Sequence, residues 1–493
     1  MKWTRREILA ATAGTLVAAC SGTRTRPGTP ALVATRGEDF DVCVIGSGFA
    51  GATVASGLAA AGVRTLLLDA GPRSTDASGN LDGATERLPL ANRGEIEYPI
   101  TTSRSLLVGG TSHKWTGVVS RLLPADFRQR TLFGHGHDWP IRYQTLYPYY
   151  CRAETQLQTA GGPPSPGEPS RQCRYTRERP YRPPVFPGSE SFDFFPLAFS
   201  RRDDEGPARI DRYEIPRFET SGGLVLADTV ATRLTSTDGR SIEAVETVGP
   251  GAPPRVRART FVVAAGTFET ARLLLASRMS RHENGLGNQS GVLGRGLTTH
   301  PNLRAEVTAD PHQPLGIHRS YAPDADFRKR DLGGCLIQLH ARSNSLAVNT
   351  QVSLDAQPEN GLALLGDAAG APAPAALELA LSPRDLASLD AASALQETTL
   401  ASMGIDPATT MRDRAWRYHP AGTCRMAASP QQGAVDRDGR VFGTTNLFVC
   451  GASVFPCAGV ANPTLTIVAL ALRLTDHLLA TRFPGRRARR RRF

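Results

Sequence analysis

No run of 18 consecutive apolar residues occurs in this chain, so no segment reads at sight as a membrane-spanning helix. The eight cysteines form no CxxC or CxxCH pair, which excludes a zinc knuckle and a c-type haem. Cys151, Cys173, Cys335, Cys424, Cys450 and Cys457 make no disulfide framework; one bridge, such as Cys151 with Cys173, remains open to them. No second His/Cys cluster accompanies His419 and Cys424, so a zinc site would lack ligands. Internal repeats are absent as well. The formal charge of +11 owes most of its excess to the end "RFPGRRARRRRF", which has arginines and no acid. The body is only mildly basic, which speaks against a nucleic-acid-binding surface. Such an arginine run reads as a solvated end, or as one that touches anionic lipid headgroups.

What is present begins with length. At 493 residues the chain exceeds one simple core, and two domains or one large composite are expected. Apolar content of 40% and charged content of 21% are ordinary for a globular protein. The start, "MKWTRREILAATAGTLVAACSG", has the layout of a signal peptide: basic residues, an apolar run from Ile8 to Ala19, then small residues. The Arg5-Arg6 pair resembles a twin-arginine export signal. "LVAAC" resembles a bacterial lipobox, in which Cys20 would be lipidated, with a plain cleaved signal as the alternative.

After a Thr/Pro/Gly-rich linker, "DFDVCVIGSGFAGATVASGLAAAGVRTLLLDAG" spells a βαβ unit. "DVCVI" reads as a buried strand, Ala50 to Ala61 as a helix of small residues ended by Gly62, and "VRTLLLD" as a second strand. Gly46, Gly48 and Gly51 form G-x-G-x-x-G between them. Such glycines let the backbone approach a pyrophosphate, whose charge then rests on a helix N-terminus. Asp69 stands where an acid accepts from a ribose hydroxyl.

Residues 155 to 216, rich in Pro, Arg and Ser, read as long loops. Pattern returns at "GGLVLADTVATRL", "SIEAVETV" and "RVRARTFVVAAGTFETARLLLAS", whose Gly266 leads from strand to helix. The segment from Asn446 to Leu479 reads as a strand, a loop and a helix. Nucleotide-fold segments thus recur at the beginning, middle and end, with other material inserted between them. In "WRYHPAGTCRM", His419 is open to three roles: a metal ligand with Cys424, a catalytic base, or an ordinary loop histidine.

Six segments in order resemble the glucose-methanol-choline (GMC) oxidoreductases, a flavoenzyme family. They are the dinucleotide unit, "VGGTSHKWTG", "DWPIRYQTLYPYYCRAE", "VVAAGTFETARLLLAS", "HPAGTCRM" and "ASVFPCAGVANPTLTIVALALR". The resemblance covers roughly residues 38 to 480. It implies an α/β composite: a Rossmann-like FAD-binding domain, discontinuous in sequence, and a substrate domain on an antiparallel sheet. The FAD-binding domain is expected over 38–90, 219–300 and 415–480. Flavin lid and substrate domain take 91–218 and 301–414, between a signal (1–20), a linker (21–37) and a basic tail (481–493). FAD contacts are implied at Gly46, Gly48, Gly51, Asp69, Gly109, Gly110, Thr111, Val230, Gly266, Gly451, Ala452, Asn462 and Pro463. His419 falls on the family's catalytic histidine and Asn462 on its second active-site position.

The implied chemistry is oxidation of a CH–OH group, with hydride passing to flavin N5 and the hydroxyl proton to His419. A neutral imidazole is suited to that proton near neutral pH, and an amide can orient the hydroxyl without competing for it. Lys114 stands where some relatives attach flavin through a histidine, with His113 one residue early, so non-covalent FAD is expected. Gly451, where many relatives carry Asp, together with "ETARLLLAS", "WTG" and "ANPT" resembles the branch of sugar and gluconate dehydrogenases and pyranose oxidases, by analogy. An exported, lipid-anchored enzyme on the outer face of the cytoplasmic membrane would pass electrons to a quinone or cytochrome, which favours a dehydrogenase over an oxidase. A sterol or other hydrophobic alcohol as substrate, and a flavin-containing lyase, are the alternatives.

Overall fold

The computed structural model describes residues 40–73, 87–160, 193–194, 198–200, 207–308, 319–322, 324–341, 345–367 and 370–486. The signal segment with Cys20, the linker, Cys173 and the arginines after Arg486 lie outside the described residues. Cys151 is disulfide-bonded.

Two sheets carry the fold. Val42, Val44 and their neighbours form an unbroken apolar run, the signature of a strand covered on both faces, and Phe40–Ile45 occupies the middle of a seven-stranded sheet. It pairs in parallel with Thr65–Leu68 on one side and Arg255–Val263 on the other. Leu224–Leu226 and Leu447–Val449 extend the parallel part, while Ala244–Val248 and Val230–Thr235 form an antiparallel flap on the first half of Arg255–Val263. Ile45, Leu68, Val263 and Val449 stand in register, so four strands end together. Ligands of open α/β sheets bind beyond such carboxyl ends.

Helix Phe49–Ala60 starts on Gly48. Its small residues let other helices come close: a Cβ on Gly57 would stand 2.6 Å from Thr475 of helix Thr464–Thr481. That second helix has mean hydropathy 1.3 over 18 residues, enough by composition to cross a membrane. Here Leu465, Val468, Ala469, Leu470, Ala471, Leu474 and Leu478 are buried in the protein core. Tyr150, from helix Tyr143–Gln156, bonds Thr466 on it at 2.9 Å.

The stretch expected to be loops ends inside a helix, Ile210–Thr220, with Pro216 within it. It lies on the Phe49–Ala60 helix, where Ser56 Oγ donates to the Glu214 carbonyl at 3.0 Å. An interior proline costs an isolated helix about 3 kcal/mol, and tertiary packing of Ile210, Ile215 and Phe218 overrides it.

The second sheet is antiparallel and six-stranded, in the order Met411–Ala421, Thr298–Thr308, Ser345–Val352, Cys335–Ala341, Arg319–Ala322, Asp193–Phe194. Alternation gives it two unlike faces. Ala305, Ile337, Leu339, Leu346 and Val348 pack with Leu400 of helix Pro383–Ser402. That helix opens with a capping box, in which Ser382 and Asp385 satisfy each other's backbone N–H groups. The opposite face carries the buried polar side chains His300, Asn302, Asn349, Gln351 and Gln338. Two expected segment ends, 300/301 and 414/415, fall inside strands of this sheet.

Candidate active site

A cavity of about 460 Å³ runs from the carboxyl ends of the first sheet to the edge strand of the second. Its nucleotide end is made of backbone. Gly46 has φ +99°, and a Cβ there would stand 2.5 Å from the Ala264 carbonyl oxygen. A Cβ on Gly51 would come within 1.8 Å of the Gly46 oxygen, so turn and helix can meet only without one. Gly48 and Gly266 instead have open space where a Cβ would be. Asp69, buried at the end of Thr65–Leu68, accepts from Ser47 N at 3.0 Å and Gly71 N at 2.9 Å. Burial pushes its carboxyl up to about 6, against the pull of those bonds.

The second glycine loop closes on the first. Gly109 N donates to Ser47 Oγ at 2.8 Å, and a Cβ on Gly110 would lie 3.1 Å from Gly48 Cα. Of the expected FAD contacts, Gly46, Gly48, Asp69, Gly110, Thr111, Val230, Gly266, Gly451, Ala452, Asn462 and Pro463 line the cavity. Gly51 and Gly109 do not line it; they shape the two loops that do.

The cradle fits a dinucleotide. The helices beginning at Phe49, Gly266 and Thr464 have no side-chain cap, and residues at each start line the cavity. Uncapped first-turn N–H groups are anion sites, and Asp69 supplies an acceptor for ribose hydroxyls. Lys114 lines the cavity and donates to the Arg104 carbonyl at 3.0 Å. The His113 ring is turned elsewhere, with Nε2 on the Val108 carbonyl at 2.8 Å and Nδ1 facing Arg209 at 2.7 Å.

The other end of the cavity is made of side chains. His419 sits where the Met411–Ala421 strand bulges: Thr298 pairs with Ala421 and His300 with Arg417, so Tyr418, His419 and Pro420 face Thr299 alone. Bulges re-aim a side chain, and His419 lines the cavity together with Asn462. The turn after it is stapled on both sides. Thr267 Oγ1 donates to the Pro420 carbonyl at 2.7 Å, and Gly422 N and Cys424 N reach the Ala452 and Ser453 carbonyls. Cys424 is buried, its thiol pushed up to about 12 by burial. Among the described residues no group of three His, Cys, Asp or Glu is placed to hold a metal.

Asn462 Nδ2 donates to the Val118 carbonyl at 3.3 Å, and its Oδ1 is a buried atom without a partner. His419 Nδ1 lies 3.0 Å from Nδ1 of His300, whose Nε2 meets the Gly459 carbonyl at 2.8 Å. Burial, then the neighbouring His300 and Arg417, hold the His419 imidazole well below the usual histidine range. Burial likewise pushes His300 down to about 4. Arg417 lines the cavity and donates to Gln338 Oε1 at 2.9 Å.

His300 escaped the sequence reading, although "THPN" repeats the His-Pro step of "YHPA". The cluster of Arg104, Glu269 and Arg272 on the cavity wall escaped as well. Its members are far apart in sequence or hidden in an apolar helix, and only the fold pairs them.

Comparison with known proteins decides the family. The profile of the GMC oxidoreductase family matches residues 357–471, and an FAD binding domain profile matches residues 41–123. The 6'''-hydroxyparomomycin C oxidase of Streptomyces lividus is 30% identical, over 90% of this chain and 92% of that protein. The chain belongs to the GMC oxidoreductases. This GMC oxidoreductase is therefore an FAD-dependent enzyme acting on alcohols. The fructose dehydrogenase large subunit of Gluconobacter japonicus is 24% identical over 76% of this chain and 80% of its own length. In fold the chain is similar to formate oxidase, with a TM-score of 0.65 at 17% identity, over 90% of this chain and 99% of that one.

Proposed function

We propose that this GMC oxidoreductase is a dehydrogenase of a sugar or polyol, with His419 as general base and Asn462 orienting the hydroxyl. One observation carries the reading: His419 and Asn462, from different elements, line one cavity with the nucleotide-binding loops. When bound, the flavin supplies the hydride acceptor. The chain's own work is to hold the alcohol and take its proton. His419 is kept neutral by burial and so is ready to accept; such help is typically worth about 10²–10⁴-fold in rate. The second N–H of the Asn462 amide is available to the substrate oxygen while the first holds the Val118 carbonyl. The polar side chains of Arg417 and Asn462 in the cavity lining with His419 support a hydroxyl-rich substrate, and the similarity to fructose dehydrogenase supports a sugar.

The orientation of His113 away from the cavity supports non-covalent FAD. Denaturation in acid should then release all the yellow colour from the protein; flavin retained on the chain would refute this. We also propose export through the twin-arginine signal and lipid attachment at Cys20, with electrons passing to a quinone or cytochrome. The Arg5-Arg6 pair and "LVAAC" support this. Replacing Arg5-Arg6 by Lys-Lys should leave precursor in the cytoplasm, and normal export of that variant would end the idea.

The substrate test is anaerobic mixing of the flavin-loaded protein with sugars, polyols and sterols, followed by flavin absorbance. Bleaching by a sugar or polyol is expected. Bleaching by sterols alone would move the assignment to hydrophobic alcohols. Persistent colour with every alcohol, together with cleavage of a cyanohydrin, would make the protein a lyase.

A further inference from the structure

The ring contact behind His419 has a direction that donor and acceptor chemistry fixes. A backbone carbonyl only accepts, so the 2.8 Å contact between His300 Nε2 and the Gly459 oxygen requires the hydrogen on Nε2. A neutral imidazole carries one N–H, so His300 Nδ1 is bare. That atom is 3.0 Å from His419 Nδ1, so the hydrogen between them belongs to His419. His419 Nε2 is then the nitrogen left with a free lone pair. The rings meet edge to face, 83° apart with centroids at 5.2 Å. Both are neutral at neutral pH, because burial opposes their charged forms.

We infer that His300 is a positioning residue: it fixes His419 in the tautomer whose Nε2 can take the substrate proton, and so decides whether the base works. This rests on the reading of His419 as the base. In the step itself the substrate O–H bond breaks and an N–H bond forms at His419 Nε2. With flavin bound, the hydride and its electron pair would leave the carbon for that acceptor, and the carbinol would become a carbonyl. His419 is left as imidazolium. Its Nδ1–H then donates to His300 as a charge-assisted bond, stronger than the neutral one it replaces. His300 passes no proton on, because its own N–H stays on Gly459.

The same side chain also holds the segment that leads to Asn462. Gly459 begins the short segment that ends in Asn462, and Gln351 Nε2 holds the next carbonyl, Val460, at 2.6 Å. His300 therefore ties the strand of the base to the segment that leads to the amide.

The test pairs histidine 15N NMR with stopped-flow flavin reduction, using the best alcohol of the panel. His419 signals are assigned by their loss in His419→Gln. The unsubstituted protein should show His419 protonated at Nδ1 and bare at Nε2, both with flavin and after its removal. His300→Leu, which offers no acceptor, should shift His419 toward the Nε2–H form. Its limiting reduction rate should fall about 10–100-fold, as when the partner behind a metal-ligating histidine is removed, with KM within a few-fold. His300→Asn, whose Oδ1 can accept from His419 Nδ1–H, should keep the tautomer and most of the rate. Flavin content and melting temperature show which variants are folded. Nε2–H in the unsubstituted protein overturns the inference without needing a variant, as does an unchanged tautomer and rate in folded His300→Leu. Neither result touches the base itself: that reading fails only if His419→Gln reduces its flavin at the unsubstituted rate.

Discussion

The two ends of the cavity are built from different materials. At the nucleotide end most contacts are backbone: Gly46 and Gly51 without room for a Cβ, uncapped helix starts, and one acid at a strand end. At the catalytic end they are side chains from distant segments, His419 backed by His300 and Asn462 held by Val118. Backbone sites tolerate little because a single methyl group collides with something rigid. Side-chain sites tolerate substitution in the fold and fail in chemistry. The two ends should therefore break in different ways.

The largest effect is expected from Gly51→Val, whose Cβ would overlap the Gly46 carbonyl. This variant should purify without flavin or not fold, as absorbance and melting will show; a yellow, stable variant would contradict the backbone account. Next is His419→Gln, expected to stay yellow while its reduction rate falls about 10²–10⁴-fold. Loss of flavin instead would blur the division between the two ends. Asn462→Ala should cost about tenfold in reduction rate, the worth of one hydrogen bond of about 1.4 kcal/mol, with flavin retained.

The smallest effects are on pH. Asp69 holds a raised carboxyl near 6, and ribose hydroxyls need the ionised acceptor. FAD affinity should therefore weaken as pH falls through about 6, measured by fluorescence titration of the flavin-free protein. His419 loses its function on protonation as an exposed histidine would, but at lower pH. Its folded form resists protonation, so the reduction rate should stay level as pH drops through about 6.5, the ordinary histidine value, and decline only below. An acid limb at 6.5 would mean that burial does not govern the base. Arg417→Met removes a nearby cation and should move that limb upward.

The same division explains what could be read from the sequence. Strand, glycine turn, helix, strand and acid are consecutive, so each leaves a local pattern, and the helix found at Phe49–Ala60 lies one residue from that expected. The recurrence of nucleotide-fold strands in the middle and at the end was also visible, because each is a short apolar run before glycine. His300 left no such trace. Its place behind His419 depends on the register of two strands and on the bulge at Tyr418, His419 and Pro420, which are tertiary facts. Helix Ile210–Thr220 was hidden by Pro216. Gly51 and Gly109, expected at the cofactor, do not line the cavity; their neighbours Ala50 and Gly110 do.

The pairing of Leu447–Val449 with Arg255–Val263, itself paired with Phe40–Ile45, has a consequence in time. Contacts so far apart in sequence are slow to form, and a chain emerging from its N-terminus holds the first strand long before it holds the last. The cavity floor cannot close until Gly451 and Asn462 have been synthesised. Cofactor capture should then wait for the strand and loop that carry Gly451 and Asn462.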